Sequence, residues 1–337
     1  MPPENTSALT RRLIFGLLFG FIVMIALALA ADLRQVSERM LTFRWSLYPW
    51  VMLLTLFNYL LRGYKFHFYL RQVGASEISL KESYHIFVAG FPLAVTPGKV
   101  GEVLKGVWIH HRTGVPTAKG LAVVVAERIS DGLAVLLLST LGVIAYPQYW
   151  PGFVAVLIIL LGVIVISQIR PVALALLQFS KKLPFIKRFS PSLIDFYEGS
   201  FALFKPSATI IATGLGMFSW LGEGIGFYLI LLGLGIPPSW ETLSIAVFVL
   251  AFSTVIGAVS ALPGGLGAAE ASIAGMLTLI LGLGTDTAAA ATLLIRFATL
   301  WFSVLLGLIA WIFSRELLGL KPQIATGMLE VNNDKRG

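Results

Sequence analysis

The chain reads as long apolar runs separated by short polar or basic stretches. The first run, 13–31, is uncharged and follows Arg11 and Arg12. At about 1.5 Å of rise per residue it nearly spans a hydrocarbon layer about 30 Å thick. Ala28-Leu29-Ala30 resembles a signal-peptide cleavage site, but the run is long for a signal peptide, so a retained helix is expected. Either way residue 32 lies outside. A second span covers 46–61, with Trp45, Tyr48 and Trp50 as interface anchors. A basic loop carrying Arg62, Lys65, Arg71 and Lys81 is expected after it.

Segment 82–111 has a different pattern. A moderately apolar arm that includes His85 is broken at Pro97-Gly98, and a short second arm ends in His110-His111-Arg112. Neither arm is long enough to cross alone, so a re-entrant hairpin is expected. A long helix, 118–145, carries Glu127, Arg128 and Asp131 and ends near Tyr146, Tyr149 and Trp150; a further span fills 152–169. Residues 170–207 are basic and contain several prolines. Within them Leu193, Phe196, Tyr197, Ser200, Phe201 and Phe204 recur at helical spacing, which predicts an amphipathic helix on the membrane surface. A span at 208–234 with Trp220 and Glu223 follows, then a hairpin at 242–281 broken at Pro263-Gly264-Gly265, and a last helix, 286–313, holding Arg296. Residues 315–337 form a polar tail, expected to be disordered.

Composition sets the class. The chain is 57% hydrophobic and 12% charged, against about 25% charged residues in soluble domains. It therefore reads as a polytopic membrane protein, a single transmembrane domain over 1–314. It has no cysteine, so it has neither a disulfide framework nor a thiolate metal site. The net charge of +8 is assigned to cytoplasmic loops rather than to nucleic acid. With the N-terminus inside, most of the 25 Lys and Arg residues fall on the cytoplasmic side, including the clusters at 62–81, 170–205 and after 314. Arg34, Arg39 and Arg44 fall outside, and the loops at 147–151, 236–241 and 282–285 carry none. The chain is thus expected in the cell membrane with both termini cytoplasmic.

The two breaks are related. Thr96-Pro97-Gly98-Lys99-Val100-Gly101-Glu102 has a counterpart in Leu262-Pro263-Gly264-Gly265-Leu266-Gly267, with Glu270 following after two extra residues. Glu102 precedes Arg128 by 26 residues, and Glu270 precedes Arg296 by 26. Basic residues flank the first hairpin and are absent around the second, so the two enter from opposite sides. The predicted fold is all-α, with two inverted-topology repeats, each holding a re-entrant or broken-helix hairpin, as in secondary transporters.

These breaks supply the candidate chemistry. Proline lacks an N–H and glycine tolerates unusual φ/ψ, so each break ends one half-helix and starts another. The free amides of the second half-helix suit a phosphate or carboxylate, although a tight turn without a ligand would look the same. Lys99 and Lys105 add positive charge for an anionic head group, or Lys105 snorkels to the interface. Glu102 and Glu270 stabilise helix N-termini or meet a cation or proton. Glu127, Arg128 and Asp131 share part of a helix face and need partners or water at membrane depth. They form an ion pair to the first hairpin or a substrate site. Arg296 pairs with Glu270 or Glu223, or binds a lipid phosphate, which a guanidinium suits. Asn58 and Arg62, and Trp220 and Glu223, occupy loosely similar places before each hairpin. The four histidines show no metal-ligand spacing, and no catalytic or nucleotide motif is present, so neither a cofactor nor an enzyme activity is expected.

The stretch 91–105, containing Thr96-Pro97-Gly98-Lys99-Val100-Gly101-Glu102 and Lys105, is followed by Glu127-Arg128-Ile129-Ser130-Asp131. Together they resemble the transmembrane domain of the lysylphosphatidylglycerol synthase family, and Leu262 to Glu270 is similar to that family's second signature. The resemblance covers about 10–314. It implies a membrane domain that, in the aminoacyl-lipid proteins, flips the modified phospholipid between leaflets; archaeal members are linked to dolichyl-phosphate sugar transfer. Only residues 316–337 follow Arg315, so the synthases' soluble aminoacyl-charging activity is not expected to carry over.

The expectation is a flippase-like protein that passes an anionic or zwitterionic lipid, aminoacylated or polyprenyl-phosphate forms included, between leaflets. Thr96, Pro97, Gly98, Lys99, Gly101, Lys105, Arg128, Pro263, Gly264, Gly265, Gly267 and Arg296 would form the site. Glu102, Glu127, Asp131, Glu223 and Glu270 would gate it or pair within it. The expected partner is the membrane lipid, with a second copy of the chain or a separate lipid-modifying enzyme beside it. The rival readings are a solute or ion secondary transporter, and a lipid-head-group or glycosyl transferase using Asp131 or Glu127 as base.

Overall fold

A computed structural model of the protein describes residues 3–96, 101–143, 150–171, 173, 175 and 190–313. Among these residues every regular element is helical. The breaking residues Pro97, Gly98 and Lys99 lie outside them, as do Tyr146 and Tyr149, the basic residues Lys181, Lys182, Lys187 and Arg188, and the tail from residue 314.

The elements are α1 (Pro3–Ala30), α2 (Leu33–Thr42), α3 (Tyr48–Gln72), α4 (Leu80–Ala89), α5 (Val103–Thr113), α6 (Thr117–Val143) and α7 (Trp150–Gln168). They continue with α8 (Ser190–Leu203), α9 (Pro206–Gly233), α10 (Trp240–Val259), α11 (Ala268–Leu281), α12 (Thr285–Arg296) and α13 (Phe302–Phe313). A π-helical turn, Phe297–Trp301, joins α12 to α13 immediately after Arg296. Such turns concentrate at functional sites in helices. Among the described residues six stretches are long and apolar enough to cross a membrane: Arg11–Ala30, Trp150–Gln168, Pro206–Gly233, Trp240–Val259, Pro263–Leu281 and Thr285–Phe313. The chain is therefore an all-α polytopic membrane protein. Large apolar side chains such as Phe15, Ile22, Ile158 and Ile159 face outward, the arrangement expected where the solvent is lipid.

One expectation from the sequence is corrected. Residues 62–72 are not a loop but the last turns of α3, and Arg62 and Lys65 are buried there. Their charges meet partners on other helices, which removes the reason to put them in water. The region after residue 31 also forms a helix: α2 begins where the Asp32 carboxylate accepts the Arg34 amide at 3.1 Å, and it buries only Val36. The amphipathic segment around 193–204 lies in α8, which packs along α6. The contact is close because Gly199 lacks a side chain: a Cβ there would lie 3.0 Å from the Ala122 methyl.

The two hairpins differ in length. The arms of the second, α10 and α11, have 20 and 14 residues, and each lies within a stretch able to cross alone. The arms of the first, α4 and α5, have 10 and 11. Helix α4 starts at a capping box: Ser79 Oγ accepts the Glu82 amide at 3.2 Å and Glu82 Oε2 accepts the Ser79 amide at 2.9 Å. It ends in a 3₁₀ turn, Phe91–Val95, and the second hairpin has its own 3₁₀ turn at Pro263–Gly265.

These two turns touch. A Cβ on Gly264 would lie 3.3 Å from Val95 Cγ1. Other glycines bring helices onto the first turn. A Cβ on Gly16 of α1 would fall 2.0 Å from the Val95 carbonyl oxygen, and one on Gly307 of α13 would fall 2.2 Å from Pro92 Cδ. The first turn is thus enclosed by α1, α13 and the second turn. Helix α6 runs through the middle and packs against α3, α5, α8, α9 and α10.

Candidate functional site

The chemistry collects on α6. Glu127 and Asp131 are one turn apart and share a face. Opposite them α3 presents Asn58, Arg62, Lys65 and Tyr69, spaced four, three and four residues apart along one face. Arg62 Nη2 lies 3.1 Å from Glu127 Oε1 and 3.1 Å from Asp131 Oδ2. Lys65 Nζ donates to Asp131 Oδ1 and, at 3.2 Å, to Ser130 Oγ. From α5, Lys105 Nζ reaches Glu127 Oε2 at 3.4 Å. Glu127 and Lys65 are fully enclosed, and Lys105, Asp131 and Arg62 are buried.

Aromatic rings complete the enclosure. Lys105 Nζ sits 5.3 Å from the Phe87 ring centre and 5.6 Å from that of Phe66; the Arg62 guanidinium carbon lies 5.7 Å from Phe87 and 5.5 Å from Trp220. Such faces attract cations. Gly90 makes room for the lysine, since a Cβ there would come within 2.1 Å of Lys105 Cε. Lys105 is therefore a member of a buried network, not a snorkelling side chain.

Arg128 points elsewhere. It grips Glu102 with two hydrogen bonds, Nε to Oε2 at 3.1 Å and Nη2 to Oε1 at 3.0 Å. Its side chain remains 38% exposed although its partner is buried. The second hairpin has the same arrangement at the same interval. Arg296 Nε donates to Glu270 Oε1 at 2.5 Å, and its Nη2 donates to the Gly264 carbonyl oxygen at 3.1 Å. The other Glu270 oxygen accepts the Gly267 amide at 2.6 Å and caps α11. Each arginine thus ties its helix, α6 or α12, to the residues that follow a break. In the first hairpin Thr96 holds the chain: its Oγ donates to the Leu93 carbonyl at 2.6 Å and accepts the Gly101 amide at 3.0 Å.

The structure therefore brings together Thr96, Gly101, Glu102 and Arg128 on one side, and Gly264, Gly267, Glu270 and Arg296 on the other. Pro263 and Gly265 form the turn that touches the first hairpin. Glu127, Lys105 and Asp131 belong to the buried network. Glu223 on α9 is buried and, among the described residues, makes neither an ion pair nor a hydrogen bond. Arg62 and Lys65 are the residues that the sequence reading misplaced. The signal was their spacing from Asn58 to Tyr69, which continues one helix face past the end of the apolar run. Among the described residues no three of His, Asp and Glu gather as a metal ion would require.

A charge network walled in by apolar helices, with two broken-helix turns in contact, defines a membrane domain built around an internal polar site. The chain belongs to the lysylphosphatidylglycerol synthase TM region family, whose match covers residues 13–307. It is similar to a UPF0104 membrane protein of Methanothermobacter thermautotrophicus, 33% identical over 113 residues, a match that covers 34% of this chain and 32% of that protein. No solved structure matches it.

Proposed function

We propose that the chain translocates a phosphate-bearing membrane lipid between leaflets, as a flippase-like protein of two inverted repeats. The observation that carries this reading is the pairing of the two turns. They touch, and the chain after each break is tied to a neighbouring helix, α6 or α12, by a Glu–Arg pair of the same 26-residue interval. Two similar gates meeting at one point, entered from opposite faces, are what alternating access needs. The partly exposed Arg128 guanidinium supplies donors for a phosphate, while Glu102 keeps it aimed. A cleft of about 360 Å³ between α7 and α9, lined by Ile164, Val165, Ile169, Phe204 and Ile210, favours a lipid over a free solute. It offers acyl chains an apolar path on the side of the bundle. In this reading the protein lies in the cell membrane with cytoplasmic termini, is not itself an enzyme, and receives its lipid from a separate lipid-modifying enzyme.

The test is reconstitution in liposomes with head-group-labelled phosphatidylglycerol, an aminoacylated lipid and a polyprenyl phosphate. The wild type should move at least one of them faster than empty vesicles do. Losing charge-assisted hydrogen bonds worth about 1.5–3 kcal/mol should slow Arg128→Ala by about 10- to 100-fold. The double variant Glu102→Gln, Arg128→Ala leaves no lone buried carboxylate and should be as slow. Equal rates in wild-type and empty vesicles across the panel would sink the reading.

A further inference from the structure

The α3–α9 interface holds buried polar groups that neither the ion-pair network nor the turns use. Asn58 is fully enclosed, and among the described residues neither its amide nitrogen nor its oxygen has a hydrogen-bond partner. The same is true of Arg62 Nε and the Trp220 indole nitrogen. Asp131 Oδ2 faces Arg62 at ion-pair distance without hydrogen-bond geometry. An enclosed polar group left unpaired costs about 1–3 kcal/mol, so several in one place point to a site that handles a polar ligand.

Helix geometry puts them together. Asn58 and Arg62 are four apart on α3, and Trp220 and Glu223 are three apart on α9, so each pair shares a face. The Arg62 guanidinium lies over the Trp220 ring, and Gly222 of α9 seats against Phe57 of α3, where a Cβ would lie 3.1 Å from the ring. Glu223 is 5% exposed. Every charged group that faces it lies on a neighbouring helix: Arg62 on α3, Asp131 on α6 and Arg296 on α12, with the Tyr59 hydroxyl also close. It therefore stands between the network and the Arg296–Glu270 pair.

Charge balance gives this position a meaning. Among the described residues the network holds three cations, Arg62, Lys65 and Lys105, against two carboxylates, Glu127 and Asp131. Ionised Glu223 would neutralise the surplus. A phosphate group arriving at Arg62 would neutralise it instead, leaving a second negative charge with no counterion in a low-dielectric interior. Taking up a proton on Glu223 restores the balance, and the Asn58 amide has a free acceptor for a carboxylic acid and free donors for a carboxylate.

We propose that Glu223, with Asn58 and Trp220, is a proton-binding site coupled to anion occupancy at Arg62, so that a phosphate-bearing ligand and a proton bind together. In the coupled step an O–H bond forms on the Glu223 carboxylate as an O–H bond of a solvent hydronium breaks and releases water, while the anion takes its place beside the guanidinium. The inference rests on the lipid reading for the source of the phosphate, but the proton site can be tested without transport.

The experiment titrates the full-length protein in phosphatidylcholine nanodiscs by tryptophan emission from about pH 5 to 9, a range that buried carboxyls reach. The wild type should show a one-proton transition that disappears in both Glu223→Gln and Trp220→Phe. Adding dihexanoyl phosphatidylglycerol should raise its midpoint, by about one pH unit if the anion tightens proton binding tenfold, because coupling is reciprocal. A similar rise with inorganic phosphate would assign the site to free anion rather than lipid and support the coupling equally. A transition that survives in Glu223→Gln, or that is missing in the wild type, overturns the proton site. A midpoint indifferent to both anions overturns the coupling. If the titration behaves as expected while no lipid moves in liposomes, the lipid reading fails and the proton site stands.

Discussion

Replacing Glu127 with alanine should destabilise the fold by about 3–5 kcal/mol, the scale set by removing one partner of a buried ion pair. The carboxylate is fully enclosed and answers two cations on two helices, Arg62 of α3 at 3.1 Å and Lys105 of α5 at 3.4 Å. Without it, among the described residues, Arg62 keeps Asp131 and the faces of Phe87 and Trp220, while Lys105 keeps only the faces of Phe66 and Phe87. Those faces contribute about 2 kcal/mol at most, which is less than the effective penalty for enclosing an ammonium, several kcal/mol. Thermal unfolding in detergent, followed by retention of the monodisperse species, measures the loss. The double variant Lys105→Met, Glu127→Gln removes one charge of each sign and should recover much of it, since the two side chains interact directly. By contrast, Glu38→Ala breaks the Arg34–Glu38 pair, which is 87% and 61% exposed, and should leave the unfolding temperature unchanged. If Glu127→Ala unfolds with the wild type, the network does not hold α3, α5 and α6 together.

The same network shows how far the sequence could be read. The spans α1 and α7 are visible because each holds an unbroken apolar run, and α9 because Glu223 alone brings a charge into its run; for such runs composition decides solvent preference. The 26-residue intervals suggest a repeat and leave each arginine's partner open; in the structure a glutamate near a helix start and an arginine on the next helix are paired at both intervals. Arg62 and Lys65 were misplaced because a charge at the end of an apolar run ordinarily marks the membrane surface. Here their neutralising partners lie some 65 residues away on α6, and nothing local announces them. Helix α2 was missed for the opposite reason. It buries a single side chain, so its hydrophobic pattern is too sparse to register. The docking of α8 on α6 depends on Gly199, whose role is only the absence of a side chain.

The last expected result concerns the contact between the two turns. Gly265→Ala should be the most damaging of three substitutions that all place an L residue at positive φ. Gly282 ends α11 at φ +64, and a Cβ there meets nothing within 4 Å, so Gly282→Ala should lose only the left-handed strain, about 1–2 kcal/mol. Gly264 has φ +61, and its Cβ would meet Val95 Cγ1 at 3.3 Å. That atom ends a side chain, which can shift by a few tenths of an ångström, so the loss should be only slightly larger. Gly265 has φ +69, and its Cβ would lie 2.9 Å from Gly257 Cα and 3.1 Å from that residue's carbonyl carbon and oxygen. These are backbone atoms inside α10, and they can yield only if the helix moves. Overpacking of this kind costs about 1–3 kcal/mol beyond the strain. The displacement also falls on the turn that meets Phe91–Val95 and on the chain beside the Gly264 carbonyl that Arg296 holds. In liposomes Gly265→Ala should therefore lose lipid movement even at temperatures where the variant stays folded, while Gly282→Ala keeps it. Equal losses in the two variants would mean that strain alone matters and that the contact between the turns has no part in transport.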